Sequence, residues 1–255
     1  PDAKRVPIVQ HPDVRRMLMN PKVLVETMRA MSYRLALSDD IALAHADEDV
    51  REKLHRRVDL LVPIVKSMCT DLGFDVAVAG VQIFGGYGFT QEFPVEQLVR
   101  DAKIQSIYEG TNGIQALDLL GRKMRMQGGK LFMEWMQDAK AEAEAAEAEG
   151  FESQAASLGK AIDALAGAAM HIAGLGQKDI DEAMLHAVPF LNAFGYVVLG
   201  QEALDQARVA KRKIAASGET NFLKGKLLNL DHYNATFLPN TVALSKGIRA
   251  GDKSC

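Results

Sequence analysis

Apolar residues recur three and four positions apart along most of the chain, and no stretch alternates convincingly with period two. Between Val14 and Ala46 this spacing runs through Met17, Leu18, Leu24, Met28, Met31, Leu35 and Leu43, which predicts one helix of about 30 residues. Asp47-Glu48-Asp49 reads as the cap of a second helix carrying Leu54, Val58, Leu61, Val65 and Met68, with Pro63 expected to kink or divide it. Phe74 to Phe84 reads as a shorter helix of its own, apolar on nearly every side and therefore expected to be deeply buried. Pro94 sits where a proline suits the first turn of the next helix, and Gly113 to Gln127 continues as another. Gly128-Gly129 is the strongest break in the chain.

Beyond that break the character changes. Asp138 to Glu149 is rich in Ala and Glu, and further helical runs cover Glu152–Ala173, Pro189–Ala216 and Thr220–Ile248. Gly174-Leu175-Gly176, Ser217-Gly218 and Pro239 are the expected interruptions. The chain is all-α: an antiparallel helical bundle over 1–127, followed by a second helical domain over 128–255.

Composition narrows the function classes. The 255 residues are 48% hydrophobic and 25% charged, an ordinary globular balance. A net charge of −3 gives no electrostatic reason to expect nucleic acid or an anionic membrane. Cys69 and Cys255 make no disulfide framework, and Cys69 reads as a buried free thiol suited to a reducing compartment. Neither they nor the six histidines have metal-ligand spacing. No apolar run is long enough to span a bilayer, and nothing resembles a signal peptide, so a cytoplasmic protein is expected. His55-Arg56-Arg57 reads as a solvated basic face.

One region combines residue types that packing alone does not explain: GVQIFGGYGFTQEFPVEQLVRDAKIQSIYEGTNGIQ, Gly80 to Gln115. Three glycines among Gly85-Gly86-Tyr87-Gly88 would let backbone N–H groups approach a bulky anion, since glycine has no Cβ to obstruct it. A lone carboxylate, Glu109, then stands between Tyr108 and Gly110, just ahead of Thr111, a good N-cap. Taken singly, each feature also fits a turn or a solvated helix end.

Together, QIFGGYGF, EFPVEQLVRDAKI and IYEGTNGIQ resemble the flavin-loop and catalytic-base signature of the acyl-CoA dehydrogenase family, in that family's order and spacing. The general resemblance runs from about His11 to Arg125. The tail resembles the extra C-terminal domain of the larger members, those acting on 3-methylmercaptopropionyl-CoA among them. The resemblance implies that a helical domain, a β-domain and one further helix precede Pro1, so that 1–127 is a truncated bundle and 128–255 is smaller than the intact one. The chain, which has no initiator Met, is expected to be a piece of a longer protein and inactive alone.

The resemblance also implies a chemistry: oxidation of the Cα–Cβ bond of an acyl-CoA to a trans-2-enoyl-CoA, with FAD taking the hydride and Glu109 the α-proton. A base for so weak a carbon acid is expected to be desolvated. Gln82, Phe84, Gly85 and Gly86 match the segment that contacts the flavin of a neighbouring subunit. Thr111 and Gln115 match flavin-contacting positions after the base, and Tyr108 and Gly110 match the thioester site. Gly113 departs from the pattern, since many relatives carry a polar side chain there. A homo-oligomer (dimer or tetramer) and electron-transferring flavoprotein as acceptor follow from the same resemblance. An acyl-CoA oxidase of the same superfamily and a non-catalytic helical interaction or oligomerisation module stay open as alternatives.

Overall fold

A computed structural model describes residues 4–251, and every regular element in them is helical. Pro1, Asp2, Ala3 and Cys255 lie outside the described residues. Ten α-helices follow one another: α1 Pro12–Ala44, α2 Glu48–Phe84, α3 Val95–Gln105, α4 Asn112–Gly121, α5 Lys130–Ala148, α6 Glu152–Gly176, α7 Ile180–Leu185, α8 Ala187–Ser217, α9 Asn221–Thr236 and α10 Pro239–Ala250.

Two expectations about the first half are corrected. α2 runs unbroken through Pro63, which is buried, and takes in Phe74 to Phe84 as its last three turns. A proline inside a helix costs about 3 kcal/mol. Packing of this segment against the core, with Leu60, Leu61, Ile64 and Met68 all buried, exceeds that penalty. The apolar end of α2 is not deeply buried either: none of residues 74–84 is buried, and Val78 and Phe84 are exposed.

Caps fall where the chemistry puts them. The Asp47 carboxylate accepts from the Asp49 N–H at 2.9 Å, and the Thr111 hydroxyl accepts from the Ile114 N–H at 3.2 Å. α4 ends at Gly121, earlier than its apolar pattern implies, and the chain tightens into a 3-10 segment over Lys123–Gly129. Gln127, Gly128 and Gly129 there all have positive φ, which unwinds the backbone at the expected break. The break expected at Gly174-Leu175-Gly176 falls at the end of that stretch: α6 runs to Gly176, and a turn follows before α7.

Both halves of the chain share one core. α8 is enclosed over 190–204, where no residue is exposed, and packs against α1, α2 and α4 as well as α5, α6, α9 and α10. Phe132 and Trp135 of α5 meet Phe190 and Phe194 of α8, with Trp135 and Phe194 ring centres 4.3 Å apart. On its other side Gly195 lies so close to Met68 of α2 that a Cβ would overlap the Met68 Cγ and Sδ. The Arg56 side chain, far from free in solvent, spans to α5 and pairs with Glu134 at 2.9 Å.

Candidate functional site

The glycine turn is built by the end of α2. Gly85 caps the helix at φ 63°, a conformation that favours glycine, and a 3-10 segment Gly85–Phe89 follows. A Cβ at Gly88 would stand 2.5 Å from the Val81 carbonyl oxygen, so the return of the chain over α2 requires glycine there. Around Gly85 and Gly86 nothing lies within 4 Å of where a Cβ would be, and their backbone is open to a ligand. Gln82 and Phe84 are exposed beside it. Phe93 stacks obliquely on Phe84 at 5.8 Å and edge-on to Tyr87 at 5.7 Å, leaving Tyr87 67% and Phe89 83% exposed.

α3 carries the chain back. Val95, at its start, packs on α2 where Gly80 leaves room: a Cβ there would be 3.1 Å from Val95 Cγ2. At Ser106, which is buried, the helix closes and a loop forms, sealed by the Asn112 N–H donating to the Ser106 carbonyl at 3.1 Å. Glu109 is at the crest with φ 55°, followed by Gly110 at φ 81°. A left-handed conformation costs a residue with a Cβ roughly 1–2 kcal/mol. The Gln115 Nε2 donates to the Glu109 carbonyl oxygen at 3.3 Å. A Cβ on Gly110 would crowd that same Nε2 at 3.1 Å, so glycine keeps the tether possible.

The loop and the start of α4 bring together Tyr108, Glu109, Gly110, Thr111 and Gln115. Gln82, Phe84, Gly85 and Gly86 form a second group at the end of α2. The loop is anchored near Thr70, and Gln82 lies twelve residues further along the same helix, about 18 Å along its axis. No hydrogen bond or ring contact joins the two groups among the described residues. Glu109 itself is exposed, as are Tyr108 and Gly110, so the desolvation expected of a base is not supplied by the described residues. The Thr111 hydroxyl, accepting from Ile114, keeps its own proton to donate outward.

Three residues outside the sequence expectations take part in building this loop. Asn112 is held by Lys66 and Thr70 of α2, forty-six and forty-two positions away. A pairing at that separation leaves no local pattern to read, although Lys66 and Thr70 do share one face of α2 at i, i+4. Elsewhere, Cys69 is half-buried with its thiol 3.6 Å from the Ser32 hydroxyl, and burial raises its pKa. No cluster of three metal-ligating side chains occurs among the described residues. No helix among them is long and apolar enough to cross a membrane.

Comparison with known proteins identifies relatives of both halves of the chain. The family model described as acyl-CoA dehydrogenase, C-terminal domain, matches residues 1–124, and the one described as acetyl-CoA dehydrogenase C-terminal like matches 132–255. The 3-methylmercaptopropionyl-CoA dehydrogenase of Ruegeria pomeroyi is 38% identical over 228 residues, 89% of this chain and 39% of that protein. The broad-specificity linear acyl-CoA dehydrogenase FadE5 of Mycobacterium tuberculosis is 34% identical over 248 residues, 93% of this chain and 41% of that protein. The chain thus spans about two fifths of the length of the curated relatives it matches. Its fold superimposes on an acyl-CoA dehydrogenase of Bacillus anthracis complexed with FAD at a TM-score of 0.76 and 21% identity, over 100% of this chain and 45% of that one.

Proposed function

The chain belongs to the acyl-CoA dehydrogenase family, and we propose that it is the C-terminal part of an enzyme that oxidises an acyl-CoA thioester to the trans-2-enoyl-CoA, with Glu109 as the base. The observation that carries this reading is the loop itself: a carboxylate held out to solvent at a strained φ of 55°, between an exposed tyrosine and a glycine. Packing needs none of these. Strain of this kind concentrates where a side chain must be presented for chemistry.

In this reading Glu109 would take the α-proton, and FAD, when bound, would supply the acceptor for the β-hydride. The residues present fit such a cofactor. Thr111 has a hydroxyl proton to donate, Gln115 has its Oε1 free beside the loop, and Gly85 and Gly86 leave their backbone open to a ligand. The distance of about 18 Å along α2 supports assigning the glycine turn, with Gln82 and Phe84, to the flavin of a neighbouring subunit. A dimer or tetramer follows from that assignment. Tyr108 and Gly110 would flank the thioester. Desolvation of Glu109, which raises its proton affinity, falls to parts of the intact protein beyond this chain and to the substrate.

The intact protein is read as cytoplasmic and as passing electrons to electron-transferring flavoprotein. Residues 128–255 are read as an appended domain that extends the core. This chain is expected to be inactive alone: after mixing with FAD and desalting it should be colourless, and stoichiometric flavin absorbance would show that it holds the cofactor unaided. In the intact enzyme Glu109→Gln should abolish bleaching of the flavin by acyl-CoA while the folded spectrum is kept; unchanged bleaching would remove Glu109 from the role.

A further inference from the structure

The loop that presents Glu109 is not stable by its own preferences. Glu109 disfavours the left-handed conformation it adopts, and Tyr108 and Glu109 have no buried side chain to hold them. The Lys66 Nζ donates to Asn112 Oδ1 at 2.7 Å, and Asn112 Nδ2 donates to Thr70 Oγ1 at 2.9 Å. Thr70 passes its own proton to the Lys66 carbonyl at 2.9 Å, so both ends of the Asn112 amide are engaged and its orientation is defined. All three side chains are part-buried, and the lysine bond is charge-assisted. The helix start does not need this side chain: Thr111 caps α4 through its own hydroxyl. What the clamp adds is a rigid tie between α2 and the residue three positions after Glu109.

We propose that Lys66, acting through Asn112, is a positioning residue that sets the direction of the Glu109 carboxylate. With the Gln115 tether on the Glu109 carbonyl, the clamp leaves the crest of the loop little freedom to relax into a right-handed turn. A base must meet its proton within hydrogen-bond reach, so slackness in the loop is felt in the rate of proton removal before it is felt in substrate binding. The proposal rests on the reading of Glu109 as the base.

The test uses Lys66→Met, Asn112→Leu and Asn112→Asp in the intact flavoprotein, reduced anaerobically by saturating acyl-CoA. Lys66→Met and Asn112→Leu are each expected to slow flavin reduction at least tenfold with substrate Kd within twofold. The double variant is expected to be no slower than either single one. Asn112→Asp keeps the acceptor for Lys66 and is expected to stay within threefold of the parent rate. Flavin reduction at the parent rate in Lys66→Met overturns the proposal. A second measurement is independent of catalysis: deuterium exchange over residues 106–114 of this chain should speed up about tenfold in Lys66→Met, with exchange in α8 unchanged. Unaltered exchange in the loop also overturns it. A failure of the base assignment shows differently, as bleaching that survives Glu109→Gln.

Discussion

Glu109 occupies a backbone conformation in which glycine is at ease and glutamate is not, with φ at 55°. Replacing it by glycine relieves about 1–2 kcal/mol of strain in the native state and adds roughly 0.5–1 kcal/mol of chain entropy to the unfolded state. Glu109→Gly should therefore leave the stability of the chain unchanged or raise it by about 1 kcal/mol, even though the carboxylate is gone. Urea denaturation decides this, and a loss above about 1 kcal/mol would mean that the side chain holds the loop instead of straining it. At this scale the sequence was readable where chemistry is local. The Thr111 cap, the glycine beside Glu109 and the open Gly85-Gly86 backbone all follow from residue type and spacing. Asn112 was not readable as an anchor, because its partners sit a helix away and nothing in Thr111-Asn112-Gly113 announces them.

At the level of whole elements, periodicity located most of the helices and failed where packing outweighed local preference. Pro63 reads as a kink or a break, yet α2 is not divided there, because Leu60, Leu61, Ile64 and Met68 bury their side chains on one continuous face. Phe74 to Phe84 reads as buried because it is apolar, yet an apolar helix end is buried only when another element covers it, and here it leaves Val78 and Phe84 exposed. The contact between α2 and α8 was equally invisible, since it depends on one absent side chain. At Gly195 the two helices approach until Met68 fills the space a Cβ would take. Gly195→Ala should therefore destabilise the chain by about 1–3 kcal/mol through overpacking, against the gain in helix propensity. Adding Met68→Ala should recover part of that loss, which a double-mutant cycle in urea measures directly. If the two changes are additive, the contact does not set the helix spacing.

Seen whole, the molecule joins its two halves through charge as well as through the shared core. Gly128-Gly129 unwinds the chain ahead of α5, but α1 and α8, on either side of that point in the sequence, meet at a single guanidinium. Arg34 Nε pairs with Glu202 at 2.7 Å, its Nη2 pairs with Asp205 at 2.7 Å, and Glu142 of α5 stands 3.8 Å from Nη1. Gln201 donates to Glu142 at 3.0 Å, and Arg208 is the next cation, pairing with Glu149. Three carboxylates around one arginine leave excess negative charge, and Glu202 is only 4% exposed. Burial outweighs the attraction of Arg34 and pushes the Glu202 carboxyl from its ordinary 4.5 up to about 7. A carboxyl whose folded pKa is raised contributes stability that is full below about 4.5 and is lost as the pH rises through about 7. On the scale of 1.36 kcal/mol per pKa unit, that contribution is on the order of 3 kcal/mol. His232 acts the other way. Burial lowers its pKa from 6.5, so its contribution is lost as the pH falls below that value. The bare pH profile mixes these two with other shifted groups, among them Asp75, whose carboxyl burial raises, and a difference measurement isolates Glu202. Glu202→Gln keeps an oxygen to accept from Arg34 and cannot ionise, while His232 is common to both proteins. The stability of the parent relative to Glu202→Gln should fall by a few kcal/mol between pH 5 and pH 8. A parallel pair of curves over that range would mean that Glu202 is ionised throughout and that Arg34 alone compensates its burial.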